Sequence, residues 1–148
     1  MLVRAFTDLA VLQGRGTRGV WAYVVDTNTG TERPSPTPAR GIQQYSRQQL
    51  VYDSRSGMVL SLDTEAMALW AYDLSRNTWT RVPQTGQVPG DRDLRDVYKG
   101  PYPLFVSYDS VAGRVVLAVA GGGTWLCDPT TGAWTKEAIT PRIPAFWE

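Results

Sequence analysis

Two separate signatures recur in this chain, in the same order and at almost one spacing. The run Tyr52-Asp53-Ser54-Arg55-Ser56-Gly57 returns 56 residues on as Tyr108-Asp109-Ser110-Val111-Ala112-Gly113. The run WAYDLSRNTW, Trp70 to Trp79, returns 55 residues on as WLCDPTTGAW, Trp125 to Trp134. A weaker copy lies upstream in YVVDTNTGTE, where aligning Asp26 with Asp73 and Asp128 sets Gly30 over Asn77 and Gly132. A period of this size means that one supersecondary unit is stacked on itself, because a lone unit cannot bury its own apolar face.

Each unit reads as four short strands. In the middle copy they fall at 49–53, 58–63, 68–73 and 78–83, and in the last copy at 104–109, 114–120, 124–128 and 133–138. These runs are rich in Val, Leu, Tyr, Trp and Thr, and turn residues separate them. SRSG, SVAG, SRN and PTTG are tight links, and Asn77 and Gly132 are expected to hold positive φ. No stretch keeps a 3.6-residue apolar period over helical length, so the expected fold is all-β. The chain reads as one domain of about three units, with residues 1–36 degenerate, then 37–83 and 84–138, and a tail at 139–148.

Composition narrows the chemistry. The chain has 148 residues and no His, which removes imidazole-dependent nucleophile activation and imidazole-built metal sites. Its one Cys, Cys127, forms no internal disulfide and no paired-thiol metal knuckle, and it reads as a buried, inert thiol. No catalytic residue, metal site or cofactor is expected. A net charge of +1 gives no argument for nucleic acid or an anionic membrane. No apolar run reaches spanning length, and Arg4 and Asp8 interrupt the apolar N-terminus, unlike a signal peptide.

These repeats resemble kelch repeats, whose hallmark is a Gly pair closing the second strand, followed by an aromatic and a Trp with six residues between them. Gly121, Gly122 and Gly123 stand at the first position of the last copy. Tyr72 with Trp79, and Cys127 with Trp134, keep the six-residue gap. The middle copy has Asp63-Thr64 for the Gly pair, and the first copy carries Val25 and Glu32 at the aromatic and Trp positions. DPTTGAW and DTNTG are also similar to the docking repeat of quinoprotein-type propellers. The resemblance implies kelch-like β-propeller blades, each a four-stranded antiparallel sheet, in a ring left incomplete by one chain. Trp70, Tyr72, Trp79, Trp125 and Trp134, with Gly121 and Gly122, are then structural, and Trp79 and Trp134 lie on fourth strands and pack between neighbouring blades.

Asp53, Asp73, Asp109 and Asp128 stand at strand ends before turns, where a carboxylate bonds turn amides and needs no catalytic role. The residues assigned to ligand binding come from the long links 33–48 and 84–103 and from the second-to-third strand links. Alternating strand direction brings all of these to one end of the sheets. That face gathers Arg15, Arg18, Arg40, Tyr45, Arg47, Arg92, Arg95, Tyr98, Lys99 and Tyr102, residue types enriched in binding hot spots.

The expected function is a non-catalytic binding or assembly module whose ligand is a protein, an acidic peptide or a glycan. The alternatives are a fragment of a kelch-type propeller enzyme, such as a copper radical oxidase, and a structural remnant without a ligand. Three blades fall short of the four to eight that close a ring. Residues 1–12 leave room for one strand of the first unit, and the tail around Ile143, Phe146 and Trp147 is expected to supply the missing one to a second copy. The expected assembly is a homodimer of six blades.

Overall fold

The computed structural model describes residues 2–6, 9–13, 19–24, 26–34, 48–63, 67–90, 104–119 and 123–138. Those residues are strands and turns, with no helix among them. The chain divides into two compact units, Met1–Val82 and Pro83–Glu148.

The first unit holds two four-stranded antiparallel sheets, each paired in strict chain order. Sheet 1 is β1 (Leu2–Phe6), β2 (Leu9–Gln13), β3 (Gly19–Val24) and β4 (Thr29–Pro34). Sheet 2 is β5 (Gln48–Asp53), β6 (Met58–Asp63), β7 (Ala68–Asp73) and β8 (Thr78–Arg81). Strand β1 lies against β5 and β6. The second repeat thus folds as its sequence anticipates. The first does not lack a strand, because both β1 and β2 form between residues 2 and 13. Two residues between such strands are enough to reverse an antiparallel pair. Sheet 1 therefore has its four strands without one from the tail, which lies outside the described residues.

The second unit holds β9 (Thr85–Gly86), β10 (Leu104–Asp109), β11 (Arg114–Val119), β12 (Gly123–Asp128) and β13 (Ala133–Glu137). Sheet 3 has the order β10-β11-β12-β13-β9, and β9 runs parallel to β13. The sequence places 84–103 wholly in a link, yet Thr85 and Gly86 add a fifth strand. The amides of Thr85 and Gln87 donate to the carbonyls of Gly132 and Trp134 at 3.0 and 2.9 Å. The Lys136 amide donates to Gln87 Oε1 at 3.1 Å. A strap of this kind covers backbone groups that an open edge would present to other chains.

Residues directly opposite in an antiparallel pair share a face, so the registers give each sheet two faces. On one face of sheet 2 lie Leu50, Val59, Tyr72 and Trp79, a buried cluster bordered by Tyr52, Trp70 and Leu74. The Tyr72 and Trp79 rings are 4.8 Å apart at a 36° tilt. The same face of sheet 3 carries Val115, Leu117, Trp125, Cys127 and Trp134, all buried. Lys136 stands over the Trp125 ring at 4.7 Å, its charge meeting the electron-rich face of the indole. We call these the aromatic faces. The opposite, aliphatic face of sheet 2 holds Val51, Leu60, Leu62 and Leu69, also buried.

Candidate functional site

The link between paired strands is built the same way again and again. Asp53 Oδ1 accepts from the amides of Arg55 and Ser56 at 2.9 and 3.3 Å, and Ser56 Oγ donates to Oδ2 at 2.6 Å. Asp73 Oδ1 accepts from the amides of Ser75 and Arg76 at 2.8 and 3.0 Å, and from Ser75 Oγ at 2.6 Å. Asp109 binds the amides of Val111 and Ala112, and Asp128 those of Thr130 and Thr131. A carboxylate held by donors resists protonation. At Asp73 the Ser75 hydroxyl, then the Arg76 amide, hold the carboxyl below its ordinary value. These four carboxylates are structural caps, as their place before turns anticipates.

The last residue of each turn enters the left-handed region. Gly57, Gly113 and Gly132 have φ of 72°, 70° and 71°, and Asn28 and Asn77 have 52° and 53°. The two asparagines also accept a hydrogen bond from a tyrosine five residues back. Tyr72 Oη donates to Asn77 Oδ1 at 2.7 Å, and Tyr23 Oη to Asn28 Oδ1 at 2.5 Å. This corrects the alignment of the first copy by two residues. Asn28 falls over Asn77, not Gly30, and the aromatic position is Tyr23 rather than Val25. Gly30, opposite Tyr23, takes the place of Trp79, so the first repeat keeps the aromatic and loses the Trp.

Trp70 is half-buried on β7, and Tyr72, Trp79, Trp125 and Trp134 are buried. Burial is the largest influence on the Tyr72 hydroxyl and raises its pKa, with Arg33 opposing and Asp73 adding. Cys127 is fully buried, and burial, reinforced by Asp128, pushes its thiol up to about 12. It is the inert thiol that its apolar surroundings suggest.

Sequence reading alone leaves Arg33 in a link. In the structure it lies on β4, where Nη1 donates to the Leu74 carbonyl at 3.4 Å. A cavity of about 460 Å3 opens there, lined by Arg33, Ser56, Gly57, Met58, Asp73, Leu74 and Ser75. The Arg33 Nε is buried with no hydrogen-bond partner. Arg33 shares a face of sheet 1 with Thr31 and Ala22, the side turned toward the Tyr72 face of sheet 2. In the first unit it is therefore the Ala22, Thr31 and Arg33 side of sheet 1 that is turned toward the aromatic face of sheet 2.

The residues assigned to ligand binding, Arg15, Arg18, Arg40, Tyr45, Arg47, Arg92, Arg95, Tyr98, Lys99 and Tyr102, lie outside the described residues, as do Gly121 and Gly122. Among the described residues, no group of three His, Cys, Asp or Glu side chains is placed to hold a metal ion. Comparison with protein-family models finds no match, and neither does comparison with curated proteins.

Proposed function

We propose that this chain is a run of three kelch-like propeller blades that acts as a binding and assembly module. One observation carries the reading. Three times in succession the chain lays four strands side by side in chain order, and in the first unit two such sheets stack face to face. Consecutive four-stranded meanders stacked on their faces are how propeller blades are arranged. The use of the polar side chains supports a module without catalysis: the strand-end aspartates cap turns, and the tyrosines of the first two repeats hold turn asparagines.

The ligand-binding residues of this reading come from the long links 33–48 and 84–103 and from the second-to-third strand links. Their Arg and Tyr side chains suit a carboxylate-rich peptide, a protein surface or a glycan, through ion pairing and ring stacking. The test is capture by an immobilised poly-glutamate peptide and by a glycan array. A variant with Arg92, Arg95 and Tyr98 all replaced by Ala is expected to lose at least tenfold in binding while keeping its melting temperature. Equal capture by the variant refutes the site.

A further inference from the structure

The aliphatic face of sheet 3 is built like that of sheet 2 but is left open. Its registers align Phe105 with Ala118 and Thr124, and Val116 with Leu126 and Thr135. The 56-residue offset sets Val116 over Leu60 and Ala118 over Leu62. Leu60 and Leu62 are 2% and 1% exposed, whereas Val116, Ala118 and Leu126 are only half-buried. Phe105 is 51% exposed, and Val111, in the turn that follows β10, is 87% exposed. These two are the exposed large hydrophobic residues among those described, and both belong to the β10–β11 hairpin. An apolar patch on a sheet face, rimmed by Asp109, Arg114 and Glu137, is the composition of an interface.

The described residues on the aromatic side of sheet 1 are less covered than those of sheet 2. In sheet 2 the aromatic face buries Tyr72 and Trp79 completely or nearly so, at 0% and 9%. The same positions of sheet 1 are Tyr23, half-buried, and Gly30, exposed, with Glu32 exposed beside them. Gly30, opposite Tyr23, brings no side chain to the position that Trp79 fills in sheet 2. Sheets 1 and 2 show the same polarity of contact, the side of sheet 1 that bears Ala22 and Arg33 turned toward the aromatic face of the following sheet.

From these two faces we infer that the aliphatic face of sheet 3, centred on Phe105 and Leu126, docks on the aromatic face of sheet 1 of a second copy of this chain. The inference rests on the blade reading and names the surface through which the blades assemble. The contact is head-to-tail, and in a two-fold dimer of this chain it is made twice. No exchange of a terminal strand is needed.

Light scattering of the full-length protein tests this. The wild type is expected to show twice the 16.4 kDa chain mass. Phe105→Glu and, separately, Gly30→Arg should each weaken association at least tenfold while melting as cooperatively as wild type. Both positions are exposed, so neither change disturbs a core. A mixture of the two variants should regain a dimer, because each retains the face its partner lacks. A monomeric wild type, or a dimer indifferent to both changes, overturns the docking surface. In either case an unchanged, cooperative all-β melt leaves the blade reading standing. That reading fails on its own terms if removing Trp79 and Trp134 leaves the fold unaffected.

Discussion

Tyr72 and Asn77 hold each other across the β7–β8 turn, the phenol donating at 2.7 Å to the one side chain whose backbone has turned left-handed. Each makes the other tolerable, since the asparagine gives the buried hydroxyl an acceptor and the bond fixes the rotamer of a residue at positive φ. In the third repeat the pair changes together, to Cys127 and Gly132, a side chain with little need of a partner and a residue without strain at φ 71°.

The pair predicts a specific ranking. Asn77→Ala loses both the acceptor and the tolerance of positive φ, and should cost roughly 1–3 kcal/mol. Asn77→Gly keeps the backbone comfortable and should cost less. Tyr72→Phe should cost about 1 kcal/mol, the net value of one hydrogen bond. Urea titrations of the three variants check the order, and a more stable Asn77→Ala than Asn77→Gly contradicts it.

Gly86 should tolerate no side chain. Its φ is 79°, and a Cβ there would lie 2.4 Å from the Trp134 carbonyl oxygen. Gly57, at φ 72°, would meet nothing within 4 Å. Gly57→Ala is thus expected to cost only backbone strain, about 1–2 kcal/mol. Gly86→Ala should cost more and expose the carbonyls of Gly132 and Trp134, read as faster amide exchange at Thr85 and Gln87.

Trp79→Ala and Trp134→Ala should each destabilise by roughly 3–5 kcal/mol, the range for truncating a large buried aromatic. Trp134 Nε1 is buried without a hydrogen-bond partner. Trp134→Phe therefore removes ring volume but no hydrogen bond, and should cost less than half of the loss seen with Ala. Thermal melts of the three variants test this, and a wild-type melting temperature for either Ala variant refutes the packing described.

Alkali should unfold the protein through Cys127. Its folded pKa of about 12 exceeds the ordinary 9.0, so the folded state keeps a proton that the unfolded chain releases. The resulting stability is full below pH 9 and is lost as pH rises toward 12. Tyr52 and Tyr72, both raised chiefly by burial, act in the same direction. Cys127→Ala should melt with a shallower decline between pH 9 and 11 than wild type, and iodoacetamide should label Cys127 only after denaturation. Rapid labelling of the native protein rules out this burial.

The sequence announces the second and third repeats because each hairpin carries its own instructions, an aspartate before the turn and Gly or Asn at its end. Asp26 misleads for the same reason. It resembles those aspartates, but it lies inside the turn, and the cap position is occupied by Val24. The spacing from Tyr23 to Asn28, shared with Tyr72 and Asn77, was the better guide. Strand β9 is two residues long, too short for any period to register. Arg33 and the open face around Phe105 were hidden for another reason, since a side chain's reach and exposure are decided by neighbouring sheets rather than by local pattern.

Strand β9 also sets an order of events during synthesis. Every other pairing in the described sheets joins strands adjacent in sequence, so each hairpin can form as soon as its second arm has left the ribosome. Thr85 and Gly86 emerge ahead of all other strands of their sheet, yet their partner is the last of them to appear. Until Ala133 and Trp134 are translated, β9 waits unpaired, and its attachment is the step that seals the sheet's outer edge. A nascent chain halted between residues 128 and 133 would then carry three paired strands of sheet 3 and a loose β9, open to protease at a point that the finished protein shields.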